Sequence, residues 1–327
     1  MARKIDWESQ IGRRLKLRDL HVFSMVVQRG SMAKAALNLG VSQPAVSEVI
    51  SELEQMVGMR LLDRSPHGVE PTIYGRALLK RTLAAFDELK QGIRDIEFLA
   101  EPTTGELRIG CVDSVASAML TPFGRQFFQG YPDVVLHVEQ LTTPTLELPR
   151  LRERSLDVVV ARLVEPVANQ HDDLNVEVLF NDHSVIAAAT QGPLADRPRI
   201  DLAELVNEPW VLPPPNSWNS MVVADAFRAR GLDMPKACTI TFSVHLRAGL
   251  SASGAFITAL PSSFVRLDGA RLGVTALPVD LPVRPWPVAI VTLKNRTLSP
   301  IVQLFIDHFR AFARSLDAGS FPEQSPA

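Results

Sequence analysis

Apolar residues in the first hundred positions recur at helical spacing. Leu20, Phe23, Val26 and Val27 give one apolar face to a helix over residues 17–28. Gly30 supplies the positive φ that ends it, and Ser31 can cap a second helix, reaching residue 39, by accepting a backbone N–H. Within SMAKAALNLGVSQPAVSEVISELE, residues 31–54, small Ala36 stands where one helix must cross another, and Gly40 ends the second helix. Ser42 caps a third helix, whose first turn tolerates Pro44 because its N–H groups are free anyway. Val46, Val49, Ile50 and Leu53 then face inward until Gly58 stops the helix after Val57. Two helices crossing this tightly describe a helix-turn-helix, whose second helix is shaped for the DNA major groove.

The next segment, LLDRSPHGVEPT, cannot be helical with Pro66, Gly68 and Pro71. Leu61, Leu62 and Val69 fit a short hairpin, the form of a wing beside the helix-turn-helix. Residues 72–100 read as one helix, roughly 42 Å long at the usual rise. Along it Leu79, Thr82, Phe86, Leu89, Ile93, Ile96 and Ala100 alternate spacings of three and four, which is a coiled-coil seam and predicts pairing with a second copy. Glu101-Pro102-Thr103-Thr104-Gly105 breaks the helix as a linker. Beyond it short apolar runs alternate with helical patterns: LRIGCV, a helix through Phe128, VVLHVEQ and LDVVVA, then a second block over residues 184–283. WPVAIVTL and a helix over residues 299–315 follow, before DAGSFPEQSPA, which reads as a disordered tail. This alternation implies βαβ units and a mostly parallel sheet.

Composition narrows the function. The 327 residues suggest two or three domains, none carrying a membrane span, and MARKIDWESQIGRRLK lacks the apolar core of a signal peptide. A cytoplasmic protein with no membrane partner is expected. The two cysteines, Cys111 and Cys238, suit a reducing compartment and read as buried small residues in strands; a thiol switch between them is the alternative. Net charge is −2, yet residues 1–81 hold 13 Lys/Arg against 8 Asp/Glu, a basic excess that favours phosphates at this end. There is no Gly-rich phosphate loop, no Gly-x-Ser-x-Gly elbow and no His-Glu-x-x-His motif, and His171-Asp172-Asp173 reads as a surface turn. An enzyme, a cofactor and a metal are therefore not expected. A solute-binding protein alone would not need the first hundred residues.

The chain resembles the LysR-type transcriptional regulators. The resemblance is carried by Ser31, Ala35-Ala36, Leu39, Val41-Ser42-Gln43-Pro44-Ala45-Val46-Ser47, Ile50, Leu53-Glu54 and Leu61-Leu62-Asp63-Arg64. Looser matches are Leu107-Arg108-Ile109-Gly110, Tyr131-Pro132, Leu156-Asp157-Val158-Val159-Val160 and residues 249–261. The resemblance implies an all-α winged helix-turn-helix, a long linker helix that dimerises, and an α/β two-lobed effector domain like the periplasmic binding proteins. Applied here, residues 1–71 would bind DNA, 72–101 would form the linker helix, 105–182 with 285–316 the first lobe, 183–284 the second, and 317–327 the tail. The chain would cross between lobes near residues 181–184 and 283–286. The family implies a homotetramer, built from linker-helix dimers joined through effector domains. Its partners would be a double-stranded DNA operator, a small polar or anionic metabolite and, as a further candidate, RNA polymerase.

On the third helix Gln43 and Ser47 share the outward face with Pro44. Gln43 can make a bidentate contact to adenine, Pro44 can pack on a thymine methyl, and Ser42 and Ser47 suit phosphate or a nearby base edge. Ser31, Met32 and Lys34 open the second helix, whose N-terminus favours a phosphate. By resemblance Arg64 at the wing enters the minor groove or meets phosphate, and His67 at the tip does likewise. Glu48 and Glu52 should lie at the margin. In the effector domain the strand ends are the candidates: Ser114 and Val115 after LRIGCV, Thr142 and Thr143 after VVLHVEQL, and Arg162 after LDVVVA as a fixed positive charge. Ser217 and Trp218, beside Asn216, and His245 would face them from the other lobe.

Overall fold

The computed structural model describes residues 14–65, 68–141, 148–163, 172–215, 217–281 and 285–317. It divides into two units, Met1–Gln91 and Gly92–Ala327, the division lying inside one long helix. His67, Thr142, Thr143, Asn216, residues 283 and 284 of the second expected lobe crossing and the expected tail beyond residue 317 fall outside the described residues, as does the side chain of Trp218.

The first unit holds α1 (Leu17–Arg29), α2 (Met32–Leu39) and α3 (Gln43–Val57), then the hairpin β1 (Leu62–Ser65) and β2 (Gly68–Pro71), then α4 (Ile73–Ala100). Gly30, Gly40 and Gly58 end the three short helices in the left-handed conformation, as their positions in the sequence predict. Phe23, Val26, Ala35, Ala36, Val46, Ile50 and Leu53 meet in one core, with Leu61 and Leu62 closing it. Val49 is only partly buried at its edge. The hairpin is anchored where the Val69 N–H donates to the Gly30 carbonyl at 2.9 Å. Thr72 stands outside α4, accepting the Gly75 N–H at 3.1 Å, so the helix starts one residue later than its periodicity suggests.

The expected seam on α4 is divided. Leu79 and Phe86 pack against the core of the first unit and Thr82 is buried, whereas Leu89, Ile93, Ile96 and Ala100 are exposed.

The second unit runs β3 (Thr104–Val112), α5 (Asp113–Val115), a π-helical turn over Ala116–Leu120, α6 (Thr121–Gly130), β4 (Asp133–Leu141), α7 (Leu148–Arg152), β5 (Val158–Arg162) and β6 (Leu174–Asp182). It continues with β7 (Ser184–Ala189), β8 (Trp210–Leu212), α8 (Trp218–Ala229), β9 (Ala237–Ile240), α9 (Val244–Ala252), β10 (Ile257–Pro261), α10 (Ser262–Leu272), β11 (Val274–Ala276), β12 (Trp286–Leu293) and α11 (Pro300–Asp317). Two five-stranded sheets result, ordered β4-β3-β5-β12-β6 and β11-β7-β10-β8-β9. His183 alone separates β6 in the first sheet from β7 in the second, inside the expected crossing region.

Neither sheet is mostly parallel. β3 runs parallel to β4 and β5, but β12 lies antiparallel to both β5 and β6. In the second sheet β8 is parallel to β9 and β10, while β7 is antiparallel to β10 and β11. β7 and β12 are the strands by which the chain enters the second lobe and re-enters the first.

β5 has every residue buried, because its two faces meet different cores. Val158 and Val160 join Phe123, Phe127, Phe305 and Phe309; Val159 and Ala161 join Leu148, Leu151 and Leu156. Just before it, Asp157 accepts from the Arg108 N–H at 2.8 Å and from Arg296 at 2.8 Å, and receives Arg94 of α4 at 3.4 Å.

Candidate functional site

α3 presents Gln43 and Pro44 to solvent while Val46, Ile50 and Leu53 are buried behind them. Ser47 is half-buried on the same helix, and Glu48 and Glu52 are exposed. Ser42 Oγ accepts the Ala45 N–H at 3.4 Å and Ser31 Oγ accepts the Lys34 N–H at 3.4 Å, so both hydroxyls serve as helix caps. Lys34 is exposed, and Arg64 is exposed on β1 opposite Val69. The Met32 side chain, at 7 % exposure, belongs to the core, because it stands on the face of α2 that carries Ala35 and Ala36, so only its backbone faces the helix start. A residue of the shared motif gains a role that spacing did not reveal. The Glu54 carboxylate accepts the N–H groups of Leu61 and Leu62 at 2.7 and 3.1 Å, fixing the start of the wing.

In the second unit the ends of β3, β5 and β6 meet the starts of α9 and α10. Arg162, expected as a fixed positive charge able to pair with a carboxylate, is buried and paired within the protein. Its Nε and Nη2 donate to Asp182 Oδ2 at 3.1 and 3.0 Å, its Nη2 also to Ser263 Oγ at 3.2 Å, and its Nη1 to Ser114 Oγ. Asp182 in turn caps α10, accepting the Ser263 N–H at 3.1 Å, the Ser263 hydroxyl at 2.6 Å and the Ser262 hydroxyl at 3.0 Å. Burial pushes the Asp182 carboxyl up, but Arg162 and the Ser263 donors together hold it below the ordinary carboxylate range. An arginine at a strand end beside a buried carboxylate is drawn to it because neither ion can be left unpaired there.

Of the expected effector residues, Ser114 and Arg162 are thus brought together. The Val115 side chain is fully buried in the core of the first lobe, which leaves only its backbone amide as a candidate. Ser217 is buried as the cap of α8, accepting the Ser220 N–H at 3.3 Å. Trp218 opens α8. His245 is exposed on α9, edge-on to Phe264 with ring centroids 6.1 Å apart. Across the lobes Asp113 Oδ2 accepts the Val244 N–H at 3.1 Å.

Comparison with known proteins agrees with this layout. Residues 17–76 match the family described as bacterial regulatory helix-turn-helix protein, lysR family, and residues 100–314 match the LysR substrate binding domain. The chain belongs to the LysR family. Among its relatives is the uncharacterized HTH-type transcriptional regulator YdcI of Escherichia coli, 27 % identical over 302 residues that cover 92 % of this chain and 97 % of that one. Among solved structures, full-length OxyR from Pseudomonas aeruginosa shares the fold with a TM-score of 0.61 at 21 % identity, covering 95 % and 99 % of the two chains. CbnR, a LysR family transcriptional regulator, does so with a TM-score of 0.50 at 21 % identity, covering 90 % and 100 %.

This LysR-type regulator therefore combines a DNA-binding helix-turn-helix with an effector-binding domain of two α/β lobes. Sequence reasoning missed Asp182, Arg247 and Ser263 at its lobe junction. A signal existed for Arg247: Val244, Arg247, Ala248 and Ser251 are the buried positions of α9, so an arginine interrupts an inward stripe. The thiol-switch alternative finds no support at Cys111. It is buried, and burial, then the charge of Asp113, push its thiol up to about 12, far from the reactive thiolate. Cys238 lies in β9 as expected but is exposed, because β9 is an edge strand.

Proposed function

We propose that the chain reads a double-stranded operator through the exposed first turn of α3, with Gln43 and Pro44 on bases and Ser47, Lys34 and Arg64 on the backbone. The observation that carries this is the polarity of α3: its glutamine edge is open to solvent while its valine and isoleucine edge is buried. His67, Ser31 and Ser42 would add phosphate contacts. Mobility shifts on operator and random DNA test the assignment. Gln43→Ala should cost about 1–3 kcal/mol on the operator with little change on random DNA. Arg64→Ala should weaken both and lower the salt slope by about one. Equal losses on both DNAs for Gln43→Ala would refute base reading.

Residues 1–71, 72–101, 105–182 with 285–316, and 183–284 would act as DNA-binding domain, linker and two effector lobes. The effector would be a small polar or anionic metabolite held where the strand ends and the α9 and α10 N-termini converge, a place where such ligands gain from free N–H groups. Its binding can shift lobe closure only by its differential affinity for the two states. The exposed Leu89, Ile93, Ile96 and Leu99 of α4 support dimerisation through that helix. Val135 and Val138 on edge strand β4, with Ile240 on edge strand β9, support further association into a tetramer. Effector-driven closure would then change half-site spacing and contact with RNA polymerase. No helix among the described residues is long and apolar enough to cross a membrane, in keeping with a cytoplasmic site of action.

A further inference from the structure

We propose that Glu54, in the last turn of α3, is a positioning residue for DNA binding: by holding the start of the wing it sets how Arg64 is presented to the phosphates. The proposal rests on the reading that Arg64 meets the DNA backbone.

The chain turns at Gly58, and residues 59–61 lead to β1 without regular structure of their own. Glu54 Oε1 spans this gap, accepting the Leu61 N–H at 2.7 Å and the Leu62 N–H at 3.1 Å. Two amides on one carboxylate oxygen make a charge-assisted clamp. Leu62 stands opposite Pro71, which has no N–H to give the ladder, so the first rung of the hairpin is secured from α3 instead. The two feet of the hairpin are then joined: the Thr72 N–H donates to the Leu61 carbonyl at 2.9 Å, and the Thr72 hydroxyl donates to the Arg60 carbonyl at 2.8 Å. Further out, Arg64 pairs in register with Val69, whose N–H donates to the Gly30 carbonyl at 2.9 Å. Arg64 thus projects into solvent from a hairpin pinned at its feet by Glu54 and at its far strand by Gly30. Glu54 and Gln43 stand eleven residues apart on the same helix. One helix therefore carries the base-reading side chain at its start and the anchor of the wing at its end.

Charge by itself argues for the opposite effect. A carboxylate in a DNA-binding unit repels phosphates, and its removal would tighten binding to any sequence. Reach and charge can be separated. Glu54→Asp keeps the charge and falls about 1.5 Å short of the two amides. Glu54→Gln keeps an oxygen at the same reach and removes the charge.

Mobility shifts of the full chain on a random-sequence duplex, over a range of KCl concentrations, test the clamp. Glu54→Asp should weaken binding about threefold or more and lower the salt slope by about one, as Arg64→Ala does. In an Arg64→Ala background the same substitution should change affinity by less than about twofold, whereas in a Lys34→Ala background it should weaken binding by its full factor. Glu54→Gln should stay within about twofold of the wild type. If circular dichroism shows that Glu54→Asp does not fold, Glu54→Gln decides alone: unchanged binding supports the clamp and tighter binding overturns it. Losses that multiply between Glu54→Asp and Arg64→Ala, or wild-type binding by a folded Glu54→Asp, also overturn it. The two readings part at Arg64. Wild-type binding by Arg64→Ala sinks the backbone contact and the clamp with it, while a loss there with none in Glu54→Asp sinks the clamp alone.

Discussion

At the scale of one residue, Gly75 shows how little room the wing leaves. A Cβ there would stand 2.0 Å from the Leu61 carbonyl oxygen, and Leu61 cannot retreat because the Glu54 carboxylate holds its N–H at 2.7 Å. Gly75→Ala should therefore destabilise the first unit by about 1–3 kcal/mol, read by urea denaturation. Gly92, on the same helix, has nothing within 4 Å of its would-be Cβ. Gly92→Ala should instead stabilise by about 1 kcal/mol through helix propensity. Matching effects at the two positions would contradict the packing account. The helix periodicity that places both glycines on α4 is visible in sequence. The clash at Gly75 is not, since the carbonyl responsible belongs to the segment that precedes the wing.

At the scale of the element, α4 serves two partners in turn. Its N-terminal half spends Leu78, Leu79 and Phe86 on the core of the first unit, while Leu89, Ile93 and Ile96 remain 51 %, 58 % and 68 % exposed. A continuous seam in the sequence is thus half intramolecular, a distinction that periodicity cannot make because either partner offers an apolar surface. Ile93→Asp combined with Ile96→Asp should lower the mass seen in sedimentation toward the monomer, with helix content by circular dichroism preserved. An unchanged mass would place the self-association elsewhere. β5 makes the converse point. Its apolar run marks a strand in the sequence, and the structure puts alternate residues into two separate cores.

At the scale of the whole molecule, the lobe junction couples acidity to stability. Asp182 is held below its unfolded value of about 3.9, so it contributes stability that is complete above that pH and is lost as pH falls through the lower folded value. Wild-type unfolding free energy should therefore drop more steeply below about pH 4 than that of Asp182→Asn. Parallel profiles would deny the junction this role. The helix-turn-helix, its glycine stops and serine caps, and the family are legible in the sequence, because each depends on residues within a few positions of one another. The sequence also brought Ser114 and Arg162 forward as strand-end residues. The inward turn of Met32, the antiparallel entry of β12 between β5 and β6 and the internal pairing of Arg162 emerge from the folded chain alone. The partners of that arginine lie 48 residues back and 20 and 101 residues further along the chain. Pairings of that span are fixed by how strands and helices are threaded, and by the cost of leaving a buried ion alone, not by any local pattern.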